Sequence, residues 1–240
     1  MSKISAIVVA DSSNVQGDRL TSFLITFPRI ILSEVNTHRM LSKNTSSSRA
    51  IPFEKMIESV QNNPFIPIAW QKEHKGMQGS EYIHVDKGIY GVENTWLGAR
   101  NRAIELAKSL NKQGVTKQLC NRLLEPFMWT TMLITGSKEG WDNFFHLRCP
   151  QYEYEPSGEK FKSKSEWIER FNIDSELPIG SNQHWKVAKD YLYWANMNKG
   201  QAEIHMMDLA EKIYDAFNES TPRELKAGEY HLPMIEIIED

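Results

Sequence analysis

Apolar and polar positions alternate tightly at the start of the chain and then settle into helical spacing. Residues 3–9 (Lys-Ile-Ser-Ala-Ile-Val-Val) and 21–27 (Thr-Ser-Phe-Leu-Ile-Thr-Phe) are rich in β-branched and aromatic side chains and flank a polar turn around Asn14 and Gly17. Both predict strands. Pro28 predicts a helix start, and residues 29–41 place Ile30, Ile31, Val35 and His38 at helical spacing. Residues 42–49 lack apolar periodicity and read as loop. A short helix is expected from Pro52 through Val60, closed by Pro64 and Pro67, and residues 71–90 predict an exposed loop or lid. Asn94 starts a helix to Asn111 with Ala99, Ala103, Leu106, Ala107 and Leu110 as its buried stripe. Gly114 stops it, Thr116 caps a shorter helix through Leu124, and Pro126 ends that one. Residues 127–134 predict a strand or buried turn, 138–147 a helix, and 201–217 a helix with Ala202, Met206, Leu209, Ala210, Ile213 and Phe217 on one face.

Residues 150–199 behave differently. They hold nine of the 25 aromatic residues, a load that a flexible linker does not carry, so a folded, helical inserted segment is expected there. The remainder of residues 1–240 reads as a single domain, in keeping with the chain's length. The longest apolar run is about five residues, far short of the roughly 18 needed to span a bilayer. Asp11 interrupts the first apolar stretch, so neither a secretory signal nor a membrane role is expected, and the expected location is cytoplasmic.

Charge narrows the partners. The chain carries 28 basic and 31 acidic residues, and six of the acids lie from Glu219 onward against two bases, leaving a near-neutral body. That field is too weak for duplex nucleic acid, whereas a small anion needs only two or three placed arginines. The two cysteines, Cys120 and Cys149, make neither a disulfide framework nor a four-ligand zinc site. No metal site is expected.

Four clusters carry candidate chemistry. In His38-Arg39-Met40-Leu41-Ser42-Lys43-Asn44-Thr45-Ser46-Ser47-Ser48-Arg49, hydroxyls, loop amides and an arginine fork could cradle a phosphate. The same residues also suit a solvated serine loop after a helix whose His-Arg end satisfies its last carbonyls. Arg122 lies beside Leu119 and Leu123 at the expected edge of the core, either as a ligand group or as a partner for Glu125. Asn143, Leu147 and Arg148 share the end of one helix, where Arg148 could equally cap carbonyls. Glu203 opens the last helix, where an acid favours the dipole.

In this order, the pieces resemble the flavin-dependent thymidylate synthases. His-Arg-x-x-Ser-x-Asn-x-x-Ser-x-Arg at 38–49 is similar to that family's long motif, and Arg-x-x-x-Pro at 122–126, Asn-x-x-x-Leu-Arg at 143–148 and Gln-Ala-Glu-Ile at 201–204 follow as they do there. The resemblance implies an α+β fold, an antiparallel sheet packed with helices. It implies that His38, Arg39, Asn44, Asn143 and Leu147 contact FAD. Ser47, Ser48, Arg49 and Arg122 would hold a nucleotide phosphate, and Arg148 the pyrimidine. The implied reaction transfers a one-carbon unit from methylenetetrahydrofolate to C5 of dUMP with NADPH as reductant, in a homotetramer with shared active sites. Alternatives are a flavin-dependent pyrimidine-nucleotide hydroxymethylase and a non-catalytic nucleotide-binding relative. Thr37 and Thr45 stand where the family motif has arginine and glutamate, and Glu34 where it usually has glutamine.

Overall fold

The computed structural model describes residues 4–75, 81–83, 89–154, 156–171, 194, 197–200 and 202–234, with 89 and 90 by backbone alone. Two long strands, β1 (Ser5–Ser13) and β2 (Arg19–Pro28), form a hairpin. Its turn is held by Asn14 Oδ1, which accepts from the backbone N–H groups of Gln16 and Asp18 at 3.0 and 2.8 Å, while Gly17 takes φ 87°. That φ is the left-handed conformation glycine adopts without steric cost.

β2 pairs on its other side with β4 (Trp129–Ser137), and β4 pairs with β3 (Ser42–Thr45), both antiparallel. A two-residue strand, β7 (Arg223–Glu224), adds parallel to β1. The order is β3-β4-β2-β1-β7, so β3 is an edge. Alternation along β2 puts Phe23, Ile25 and Phe27 on one face, fully buried with Met132 and Ile134 from β4. Against that face lie α5 (Lys138–Arg148) and the C-terminal helix α7 (Ile204–Glu219). They contribute Trp141, Phe144 and Phe145, and Met206, Leu209, Ala210, Ile213 and Phe217. Each such side chain contributes about 1.5–3 kcal/mol by leaving water, which makes this layer the main source of stability.

A second apolar cluster lies beyond the β4 start. It joins α2 (Phe53–Asn62), α3 (Ile89–Lys112), the short α4 (Lys117–Cys120) and a 3-10 helix, Asn121–Phe127.

Several expectations change. The single helix over 29–41 is a 3-10 turn, Arg29–Ile31, followed by α1 (Leu32–Asn36). The Thr37 hydroxyl donates to the Glu34 carbonyl at 2.6 Å and satisfies the last turn of α1. The expected loop at 42–49 contains β3, because backbone pairing with β4, not an apolar pattern, orders those residues. In α3 the buried face is centred on Ile104 and Ala107, with Ala99 and Leu106 exposed. Leu119 and Leu123 are 59% and 41% exposed, so the buried neighbours of Arg122 are Asn121 and Leu124. Alanines mark the buried face of α3 only weakly, and around Arg122 the helix tightens to 3-10 geometry, which shifts every facing position.

Within 150–199 the structure gives a hairpin, β5 (Tyr152–Tyr154) with β6 (Glu159–Phe161), then α6 (Lys164–Arg170). Strands replace part of the expected helix because Tyr-Glu-Tyr alternates and Gly158, at φ 69°, turns the chain. Tyr152, Phe161, Trp167 and Trp194 pack as one aromatic cluster. Trp185, Tyr191, Tyr193 and the expected lid residues 76–80 and 84–88 lie outside the described residues. Among the described residues no helix is long and apolar enough to cross a membrane.

Candidate active site

Two polar clusters flank the β3 edge. The first begins at the turn after α1. His38 is 7% exposed and packs edge-on against Phe144, with ring centroids 4.8 Å apart. Arg148, the last residue of α5, donates from Nε to His38 Nε2 at 2.9 Å. An arginine offers only donors, so His38 Nε2 is the acceptor and the imidazole is neutral. Burial first, then the nearby Arg148 and Lys43 charges, hold the His38 pKa down to about 4. Lys43 Nζ donates to the His38 carbonyl and so ties β3 to the same turn. Arg148 therefore orients on a neutral histidine and does not cap α5.

Glu34 of α1 belongs to the surroundings of Arg148. Burial, then the like charge of Glu203, push its carboxyl above the usual range, while Arg148 pulls it down. Glu203 is the cap of α7: Oε2 accepts from the backbone N–H groups of His205 and Met206 at 2.8 and 3.0 Å, and Oε1 lies 2.5 Å from His205 Nδ1. His205 Nε2 accepts from the Ile68 N–H at 3.1 Å, which fixes Nδ1 as the donor to Glu203. The carboxylate at the α7 start thus does more than complement a dipole; it anchors a buried histidine.

The second cluster lies past the other end of β3. Ser48, 2% exposed, donates from Oγ to Glu125 Oε1 at 3.0 Å. The same oxygen lies 3.3 Å from Arg29 Nη2 and 3.7 Å from Arg122 Nη1. The buried Asn121 holds this loop by donating from Nδ2 to the Ser48 and Ile51 carbonyls at 2.9 and 3.1 Å. β3 stands between the two clusters, its three residue steps spanning about 10 Å.

The structure therefore brings His38 to Arg148, and Ser48 to Arg122 through Glu125. Arg39, Asn44, Ser47, Arg49, Asn143 and Leu147 are exposed side chains around these points. Asn143 and Leu147 lie one turn apart on α5, and Leu147 is 52% exposed, as is Met40 at 48% in the neighbouring turn. A Cβ on Gly140 would lie 3.2 Å from the Met40 carbonyl, so this turn sits directly on the first turn of α5. Exposed apolar side chains beside amide and guanidinium donors suit a planar, hydrogen-bonding heterocycle such as a flavin ring.

In the sequence Arg29 belongs to no motif, and Glu125 stands only as a partner for Arg122. The available signal was a lone arginine inside the apolar run Phe-Pro-Arg-Ile-Ile. Cys149, next to Arg148 in the chain, is buried, and burial pushes its thiol up, away from a reactive thiolate.

The architecture is α+β, a largely antiparallel sheet packed with helices, and it is a known one. No protein-family model and no curated protein match the sequence. Among solved structures, the UMP/dUMP methylase PolB from Streptomyces cacaoi bound with 5-Br UMP is 14% identical, with 91% of this chain and 90% of that chain covered at TM-score 0.58. The 5-Br dUMP complex gives 14% identity, 84% and 66% coverage and TM-score 0.52. Thymidylate Synthase X from Helicobacter pylori, with FAD and dUMP, gives 16% identity, 82% and 67% coverage and TM-score 0.40. This chain shares the PolB fold, and its α+β architecture with a largely antiparallel sheet packed with helices is as expected.

Proposed function

We propose that the β3 edge is a flavin-dependent active site that adds a one-carbon unit to a pyrimidine nucleotide. The observation that carries this reading is the Arg148–His38 pair, a guanidinium held at a fixed angle by a neutral, buried imidazole. Support comes from the motif order along the chain and from a fold shared with an enzyme described as a UMP/dUMP methylase.

In this reading Ser47, Ser48, Arg49 and Arg122 hold the 5′-phosphate, and Arg148 binds a carbonyl of the pyrimidine. His38, Arg39, Asn44, Asn143 and Leu147 flank the FAD, with His38 acting through Arg148. Bound reduced FAD would supply the hydride, with methylenetetrahydrofolate giving the carbon and NADPH the electrons. The chain's own work is then positioning and polarisation. Arg148 would stabilise the negative charge on the ring and its carbonyl oxygen that makes C5 nucleophilic towards the one-carbon unit, a role for preorganised donors. Its Nε is committed to His38, which leaves the two terminal nitrogens to face the base. No cysteine nucleophile is required. Exposed flavin residues at an edge strand fit a homotetramer in which a second subunit completes each site.

The test is product mass. Protein, FAD, NADPH and methylenetetrahydrofolate are incubated with dUMP or UMP. A gain of one methyl group supports the thymidylate-synthase-like reaction, one further oxygen supports a hydroxymethylase, and an unchanged nucleotide with no FAD uptake contradicts both.

A further inference from the structure

On one edge of the Arg29 guanidinium Nη1 donates to the Ser46 carbonyl and the Thr130 hydroxyl at 3.5 and 3.4 Å, but the Nε–Nη2 edge is only half used. An arginine offers Nε and Nη2 side by side, as a fork that two oxygens of one anion can fill together. Arg19 in this chain shows the filled case: Nε and Nη2 donate to the two oxygens of Asp11 at 2.9 and 2.7 Å. At Arg29, Nη2 lies 3.3 Å from Glu125 Oε1, but Nε is buried and has no hydrogen-bond partner among the described residues. Arg29 is itself 15% exposed, so water does not readily replace the missing acceptor.

Glu125 Oε1 also takes the Ser48 hydroxyl and faces Arg122, so one carboxylate oxygen gathers three donors from three separate segments. A single carboxylate oxygen on a 3-10 helix leaves the other tine of the Arg29 fork empty. A tetrahedral phosphate carries enough oxygens to fill both tines and still accept from Ser48 and Arg122.

We propose that Arg29 is a phosphate-binding residue of this site and that Glu125 is a resident carboxylate which an incoming phosphate displaces. The inference rests on the nucleotide reading above for the identity of the ligand, a pyrimidine nucleoside monophosphate. It adds a residue outside every motif and a regulation of affinity. Glu125 holds the donors together while the site is empty and competes with the phosphate when it arrives. Two arginines against one internal acid leave a net positive cradle, which Arg49 extends at the surface.

The experiment uses the full chain and its Arg29→Gln, Arg29→Lys and Glu125→Gln variants, titrated calorimetrically with UMP, uridine and inorganic phosphate. Melting temperatures without ligand show that each variant is folded; Arg29→Lys, which keeps the charge, covers the case where Arg29→Gln does not fold. Arg29→Gln should weaken UMP at least tenfold and Arg29→Lys by less, with uridine unchanged. Glu125→Gln should tighten UMP and inorganic phosphate several-fold. The proposal is overturned if UMP binds and Arg29→Gln, or Arg29→Lys where the former is unfolded, leaves its affinity unchanged, or if Glu125→Gln weakens it. If inorganic phosphate binds in an Arg29-dependent way but UMP binds no tighter, the anion site stands and the nucleotide reading fails.

Discussion

His38 is where residue-level chemistry and function meet. A histidine that accepts from an arginine cannot also carry a proton there, and burial adds to the penalty. Its folded pKa, about 4, lies below the ordinary value near 6.5. Between those values the unfolded chain binds more protons than the folded one, so stability rises with pH across that window. The contribution, on the order of 2–3 kcal/mol, is present above about pH 6.5 and lost as pH falls towards 4. Urea midpoints measured from pH 7 to pH 4 should therefore fall more in the wild type than in His38→Gln, which accepts from Arg148 without titrating. An NMR titration of His38 with a midpoint near 6.5 would contradict this. His38→Ala should lower turnover more than His38→Gln, since only glutamine restores an acceptor for Arg148.

At the scale of elements, the close packing of the α1–β3 turn on α5 is what aligns the site. A Cβ on Gly136 in β4 would meet Leu41 Cδ2 and lie 3.1 Å from Trp141 Nε1. Leu41 follows the His38 turn and is buried, so its side-chain end must turn away into packed surroundings, while the fully buried Trp141 leaves little room. Gly136→Ala should cost about 1–3 kcal/mol by overpacking and should weaken nucleotide binding as well, measured by chemical denaturation and calorimetry. A second frame joins the hairpin to the end of α7. Asp11 accepts from Arg19, Thr21 and Ser220, and Arg19 Nη2 also donates to the Phe217 carbonyl at 2.7 Å. These bonds together hold the Asp11 pKa below its usual value even though burial opposes them. Its contribution is present above about pH 4 and disappears as the carboxylate protonates below that. Asp11→Asn should remove that acid sensitivity while lowering stability at pH 7.

How much of this the sequence foretells follows from what each element depends on. β2, α5 and α7 bury one face in a single layer, so their periodicity is readable: Phe23, Ile25 and Phe27, and Met206, Leu209 and Ile213. β3 depends on its partner strand, so Ser-Lys-Asn-Thr shows no pattern of its own. In the candidate site, the motifs single out Arg148 and the stretch from His38 to Arg49 in which Ser48 lies. Their pairings were not legible, because His38 and Arg148 lie 110 residues apart in sequence and Ser48 and Glu125 lie 77 apart. Arg29 carried no motif at all.

Across the whole molecule, the segment after α5 is fastened to α7 by side-chain bonds that include Ser165 to Asp215 and Tyr214 to Glu166, and by a buried acid at their centre. Glu211, 2% exposed, accepts from the Tyr152 hydroxyl at 3.1 Å, the Lys164 backbone N–H at 2.7 Å and Lys164 Nζ at 2.6 Å. Removing one partner leaves a buried charge, so Glu211→Ala should cost about 3–5 kcal/mol and expose residues 150–171 to proteolysis. Replacing Lys164 and Glu211 together by methionine and leucine should cost less than Glu211→Ala alone, and a double-mutant cycle reads the difference.

In the proposed site nucleotide and flavin meet at Arg148. The direct measurement is the visible spectrum of the FAD-loaded protein as UMP or dUMP is added. A saturable perturbation of the flavin bands is expected, with the half-saturation concentration raised at least tenfold in Arg148→Ala. A flavin spectrum indifferent to either nucleotide, or an Arg148→Ala titration that overlays the wild type, would contradict it.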